Sequence, residues 1–187
     1  MKRTEIASLG EFGLIDHLTK NIELKNSSSE RGVGDDAAVL SFGNKKTLVT
    51  TDLLLEGIHF DWMYVPMKHL GYKSAVVNFS DIYAMNGQPK QITVSLGISK
   101  RFSVEDIELF YEGLSLACQE YGVDIVGGDT SASLTGLTIS ITCLGEGEEG
   151  QLVFRDGAKD TDLVCVSGDL GAAFMGLQLL EREKSIY

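Results

Sequence analysis

The chain has no apolar run long enough to cross a bilayer, and its opening stretch, MKRTEIASLGEF, lacks the hydrophobic centre of a secretory leader. A cytoplasmic protein with no membrane partner is expected. Positive charge is scarce. Sixteen Lys and Arg face 27 Asp and Glu, a net charge of -11, so a nucleic acid or an anionic membrane surface would repel the chain. Cys118, Cys143 and Cys165 lie far apart in apolar surroundings with no Cys-x-x-Cys spacing, which argues against a zinc site and against a disulfide framework. The common phosphate-binding signatures are missing as well. There is no G-x-x-x-x-G-K-[ST], no kinase-type glycine-rich loop with its catalytic Asp motif, and no G-x-G-x-x-G opening a helix.

What is present is a chain of 187 residues with 43% hydrophobic content, enough for one domain or for one domain and part of another. Glu11 to Ile22 reads as a short amphipathic helix, and NSSSERGVGDD as a polar loop. AAVLSF and TLVTTD read as two strands of a hairpin turning at GNKK, with Asp52 ending the second. Met67 to Met85 reads as a long helix, apolar on nearly all sides and stopped by NGQP. QITVSLGI is a strand, and Ser103 to Asp106 fits a capping box opening a helix that runs to Gly122. VDIVGGDT, LTISITCLGEG and DLVCVSG are further strands, and LGAAFMGLQLLEREK is a final helix. The expected class is α+β, with strands and helices mixed in the manner of α/β. The Gly/Glu run GEGEEGQ marks a boundary, with a first domain over residues 1–148 and the start of a second over 149–187.

The chemistry lies in where carboxylates fall. Asp35 and Asp36 stand side by side before a strand, Asp52 follows Thr50 and Thr51, Asp129 sits in GGDT, and Asp81 lies inside the apolar helix on a face with Ser74, Asn78 and Met85. A buried Asp demands a partner, either a buried Arg or backbone amide, or a cation shared with other carboxylates. An all-oxygen set without His or Cys clusters suits Mg²⁺, which is commonly held by a few carboxylates together with substrate phosphates.

GVGDDAAVL, TTDLLLEGIHF, VNFSDIYAMNGQP and GGDTSAS, in this order and at these spacings, resemble the N-terminal domain of the thiamine-monophosphate kinase family. That family belongs to an ATP-binding superfamily with aminoimidazole ribonucleotide synthetase, selenophosphate synthetase and a hydrogenase maturation factor. The resemblance covers the whole chain, and FRDGAKDTDLVCVSGDLGAA continues it into the family's second domain. It implies a mixed sheet flanked by helices, a homodimer formed through the N-terminal domain, and transfer of the γ-phosphoryl of ATP to thiamine monophosphate with several Mg²⁺ ions. By the same resemblance Asp36, Thr50, Thr51, Asp52, Asp81 and Asp129 form the metal shell, with Asp52, Asp81 and Asp129 central to catalysis. His59 contacts the thiamine phosphate, and Gly128, Asp129, Arg155 and Tyr111 contact ATP. Asp35 orients the loop or binds metal through water.

Each assignment has a structural counterpart. His59 is otherwise a half-buried histidine beside Phe60 and Trp62, Thr50 and Thr51 are β-formers, Arg155 is a surface charge, and the glycines of GGDT mark a tight turn. Family members run to nearly twice this length, so this chain is expected to fold and dimerise but to form product only at background. Two other functions stay open, another ATP-dependent small-molecule enzyme of the superfamily and a non-catalytic binding or assembly module on the same fold.

Overall fold

The computed structural model describes residues 9–184. Helix α1 (Gly10–Thr19) is shorter than the sequence suggests and buries none of its residues. Within the expected polar loop lies a short strand, β1 (Ser29–Arg31), which pairs antiparallel with β2 (Ala38–Ser41). The hairpin is present: β2 pairs with β3 (Lys46–Leu55) through Ser41 opposite Lys46 and Ala38 opposite Val49. Strand β3 runs on to Leu55, so Asp52 is inside the strand and does not end it.

Helix α2 (Met67–Ala84) and strand β4 (Gln88–Ile98) follow, then helix α3 (Val104–Tyr121). The Ser103 hydroxyl accepts from the Asp106 amide while the Asp106 carboxylate accepts from the Ser103 amide, completing the capping box, and Gly122 closes α3 at a left-handed φ of 67°. Strands β5 (Asp124–Ala132) and β6 (Leu137–Gly147) complete one mixed six-stranded sheet in the order β1-β2-β3-β6-β4-β5. All pairs are antiparallel except β4 with β5, which α3 connects as a crossover.

Alternation along the strands sorts the sheet into two faces. Leu48 and Leu54 of β3, Ile92, Val94 and Leu96 of β4, and Ile139, Ile141 and Cys143 of β6 are buried against α2 and α3. Each large side chain of this kind contributes about 1.5–3 kcal/mol on burial. The apolar character of α2 does not mean burial all round: the buried residues Met67, Leu70, Gly71, Ser74, Ala75, Asn78, Phe79 and Ile82 form one face, while Lys73, Ser80 and Tyr83 are exposed. The two helices touch backbone to backbone. A Cβ on Gly113 would lie 1.7 Å from the Lys68 carbonyl oxygen, and one on Gly71 would lie 1.9 Å from that of Phe110. On the other face of the sheet Leu53 is exposed, and so is every residue of the edge strand β5.

Gln151 to Phe154 returns across the first domain: Val153 donates to the Met85 carbonyl at 3.2 Å and Asn86 to the Gln151 carbonyl at 2.9 Å. A 3-10 turn, Arg155–Gly157, comes next. DLVCVSG is not a strand, contrary to its apolar pattern. No neighbouring strand among the described residues takes its backbone hydrogen bonds, and Leu163, Val164 and Val166 are all exposed. Helix α4 (Ala172–Lys184) forms as expected.

Candidate active site

Strand β2 stops pairing at Ala38 opposite Val49, while β3 continues to Leu55. The β2-side edge of residues 50–55 is therefore bare of strand, and α2 and the Asp35–Asp36 turn fill that space. Thr50 donates its hydroxyl to Asp81 Oδ2 at 2.7 Å, and the Asp52 amide donates to Asn78 Oδ1 at 3.2 Å. Further along, Lys73 Nζ donates to the His59 carbonyl at 2.8 Å. One helix thus reaches across to β3 and its following turn at three successive places.

The electrostatics show that the carboxylates share a site. Burial pushes the Asp81 carboxyl above the usual carboxylate range. The Thr50 hydrogen bond pulls it back, the charges of Asp52 and Asp36 add to the rise, and Arg155 opposes it. Burial likewise raises Asp52, and the nearby His59 works in the other direction. The buried partner that Asp81 needs is a hydroxyl, not an arginine or a backbone amide.

Asp35 and Asp36 divide their roles. The Asp35 side chain, 1% exposed, pairs with Arg31 at 3.1 Å, and it accepts from the Arg155 amide at 3.3 Å and the Asp36 amide at 3.0 Å. It holds the loop, while Asp36 turns toward Asp81 and pairs with the Arg155 guanidinium. Arg31 stacks over Phe154 at 4.1 Å and reaches Asp156 at 3.0 Å, tying the loop to the 3-10 turn.

His59 lies on a turn after β3. Its Nδ1 accepts from the Leu55 amide at 3.0 Å, so the neutral ring carries its proton on Nε2. The ring is exposed, and Trp62 packs on Phe102 at 5.1 Å. A cavity of about 710 Å³ opens beside it, lined by Gly57 to Asp61, Lys73 and the α4 residues Phe174 and Leu177.

Other expected site residues stand apart. The Thr51 hydroxyl bonds to the Ile141 carbonyl and to Thr142 on the open face, away from Asp81. Asp129 lies in β5 opposite Ser95, exposed, with its carboxylate accepting from the Thr130 amide at 2.9 Å. Register makes Asp52, Ile141, Val94 and Gly128 one row across the sheet, so Asp129 sits roughly 14 Å from Asp52 at about 4.8 Å per strand. GGDT is strand, not turn. Gly128 is required there because a Cβ would fall 1.9 Å from the Val94 carbonyl oxygen. Tyr111, on α3, lines an apolar hollow of about 400 Å³ with Ile98, Phe102 and Ile107. Among the described residues no three Asp, Glu, His or Cys side chains converge closely enough to hold a metal ion by themselves. Sequence reasoning missed Lys73 and Arg31, whose roles are contacts to residues distant in the chain.

Residues 34–146 match the model of the family described as AIR synthase related protein, N-terminal domain. The chain belongs to this family. Among characterised proteins, this AIR synthase related domain is similar to thiamine-monophosphate kinase of Aquifex aeolicus, 42% identical over 182 residues that make up 97% of this chain and 56% of that protein. The kinase of Bacillus subtilis is 37% identical over 94% of this chain and 54% of its own. A solved structure described as AaThiL complexed with AMPPCP and TMP superposes with a TM-score of 0.86 at 41% identity, over 100% of this chain and 57% of that one. The thiamine-monophosphate kinase of Stenotrophomonas maltophilia K279a gives 0.70 at 34%, over 93% and 54%. The chain spans about half the length of the curated relatives it matches. The α+β fold with its mixed sheet is that of these relatives.

Proposed function

We propose that this chain is the nucleotide- and metal-binding half of an ATP:thiamine-monophosphate phosphotransferase, which makes thiamine diphosphate and ADP by direct in-line transfer. The observation that carries the reading is the row of acidic and hydroxyl oxygens along the bare edge of β3, from Asp36 through Thr50, Asp81 and Asp52 to the His59 turn. Relatives at 37–42% identity that carry the kinase name support it.

The donor set fits Mg²⁺. All donors are oxygens, and the charges of Asp36 and Asp52 raise Asp81 in a partly buried setting where Arg155 is the cation acting on it. Asp36, Thr50, Asp52 and Asp81 would hold the ions, with Thr51 and Asp129 contributing from further off, and bound Mg²⁺ would neutralise and align the reacting phosphates. Arg155 is placed to move from Asp36 to a phosphate oxygen. His59, which lines the cavity and carries the proton of its neutral ring on Nε2, is suited to donate to the acceptor's phosphate. The hollow beside Tyr111 has the apolar walls a nucleobase takes, and Gly128 and Asp129, which do not line it, would meet ATP from β5. Phosphoryl transfer leaves little covalent work to the protein, so no phospho-enzyme is expected.

A homodimer through this domain goes with the reading, supported by the uncovered sheet face and the exposed edge strand β5. Residues 1–148 serve as its metal, nucleotide and dimer domain, and 149–187 begin a second. No helix among the described residues is long and apolar enough to cross a membrane, and we place the enzyme in the cytoplasm. The test is a product assay on the protein expressed from its complete reading frame, offering thiamine monophosphate or aminoimidazole precursors with MgATP. Thiamine diphosphate as the product is expected. Turnover of the aminoimidazole precursor alone would overturn the assignment.

A further inference from the structure

The turn that carries His59 is short and poorly covered. Ile58 is 76% exposed, His59 is exposed, and Gly57 takes a φ of +82° that other residues rarely adopt. Its two ends are fixed. Glu56 is held by Arg101 and by the Leu137 amide, which donates to it at 2.9 Å, and the Phe60 side chain is buried in the core at 6% exposure. Between these anchors the internal bonds are local: Gly57 donates to the Phe60 carbonyl at 2.8 Å, and His59 to that of Leu55 at 2.9 Å. The tie from outside is Lys73, whose ammonium donates to the His59 carbonyl at 2.8 Å.

Lys73 reaches the turn from the same helix whose Asn78 fixes the Asp52 amide and whose Asp81 accepts from Thr50. Along α2 the order is Lys73, Asn78, Asp81, and along the strand and its turn the partners run His59, Asp52, Thr50. Asp81 and Lys73 are eight residues apart, about 12 Å along a rigid helix. A charge-assisted bond to a carbonyl is roughly twice as strong as a neutral one. It acts at the histidine of a turn that lines the cavity.

We infer that Lys73 is a positioning residue for the phosphate acceptor: the His59 ring is bonded to Leu55 of β3, and by holding the His59 carbonyl Lys73 keeps this turn in place beside the carboxylate edge, through α2 as a common ruler. This rests on the kinase reading for what His59 contacts, and on geometry alone for the hold itself. Lys73 is exposed on α2, so Lys73→Met keeps a helix-compatible stem and removes only the charge and donor.

Two measurements separate these parts. In the 187-residue chain, amide hydrogen exchange reports how firmly the turn is held. The wild type and Lys73→Arg should show slow exchange at the His59 amide, which donates to the Leu55 carbonyl, while Lys73→Met should show faster exchange there, with the Nε2–H tautomer set by the Leu55 amide unchanged in all three. In the protein from the complete reading frame, Lys73→Met should raise the KM for thiamine monophosphate about tenfold with kcat and the ATP KM within about twofold, the pattern of lost acceptor binding. Lys68→Met, which removes a surface pair with Glu112 on the same helix, should change neither readout. Unchanged His59 amide exchange in Lys73→Met overturns the inference whatever the kinetics. A loosened turn with an unchanged acceptor KM overturns the link from the turn to the acceptor. A loosened turn in a protein that makes no thiamine diphosphate overturns the kinase reading and leaves Lys73 as the residue that holds the turn.

Discussion

Replacing Gly113 with alanine tests whether α2 is held where the candidate site needs it. On helix propensity alone the change should stabilise α3 by about 1 kcal/mol. The structure gives the opposite sign. The new methyl would lie 1.7 Å from the Lys68 carbonyl oxygen, 2.7 Å from its carbon and 3.0 Å from the Tyr72 nitrogen, all of them backbone atoms that no rotamer change can clear. For the oxygen to reach even 3.0 Å the helices must part by about 1.3 Å at their crossing. A gap of that size forfeits a large part of the dispersion contact around it, and overpacking of this kind costs about 1–3 kcal/mol and sometimes more. Taking the upper end because the obstacle is backbone, and subtracting the propensity gain, leaves a loss of about 2–3 kcal/mol. For a chain of this size that is a fall in Tm of about 5–10 °C. Thermal unfolding followed by far-UV circular dichroism is the assay, with Gly176→Ala in α4 as the control, since a Cβ there meets nothing within 4 Å. The control should be neutral or slightly stabilising. A Gly113→Ala protein as stable as the wild type would refute the tight crossing, and with it the claim that α2 is a fixed ruler for Asn78 and Asp81.

Asp52→Asn and Asp81→Asn should each abolish most turnover in the complete enzyme, yet in chelator at neutral pH they should melt no lower than the wild type. Both folded-state carboxyls are raised, so the folded protein binds a proton more readily than the unfolded chain and its stability falls as pH rises through that range. The amide variants should lose this dependence, their advantage fading on acidification, and a clearly lower Tm at neutral pH would count against a strained anionic site. Light scattering at micromolar concentration should give a dimer for the 187-residue chain, and a monomer would remove the proposed role of the open sheet face.

Most of the elements were legible because each is local. The capping box at Ser103 and Asp106, the helix carried to Gly122 and the strand LTISITCLGEG depend on neighbours a few residues away, and all three are found. DLVCVSG fails for the complementary reason. Its apolar pattern is a property of the segment, but a strand is a property of a pair, and no partner for it lies in the described residues. The extra strand β1 is the same lesson reversed: Ser29 to Arg31 carries no apolar signal, and pairs because β2 offers it an edge. Asp35 was legible only as an adjacent like charge. That it is the buried, doubly arginine-paired member could not be read, since Arg31 is a near neighbour but Arg155 comes from 120 residues further along the chain.

The arrangement of the candidate site residues was not legible in the sequence. Reading GGDT and TTD as parts of one shell assumes that strand ends consecutive in sequence lie together, and the sheet order denies it by placing β6 and β4 between β3 and β5. Thr50 and Thr51 show the same effect over one residue, since adjacent strand positions face opposite ways and only Thr50 meets Asp81. If Asp129 is to act on the same phosphates as Asp52, something must bring it across roughly three strand spacings, about 14 Å. A nucleotide with its ions is long enough to span part of that, and a second copy of the chain, lying against the open face and the β5 edge, can present its own Asp129 instead. Register also puts Asp129 on the open face with Thr51 and Leu53, opposite the α2-facing side that Asp52 shares with Thr50, so either route must reach round the sheet as well as across it. In the protein from the complete reading frame, Asp129→Asn tested in mixed dimers with Asp81→Asn distinguishes them: recovery of activity in the mixture requires that the two residues act from different subunits.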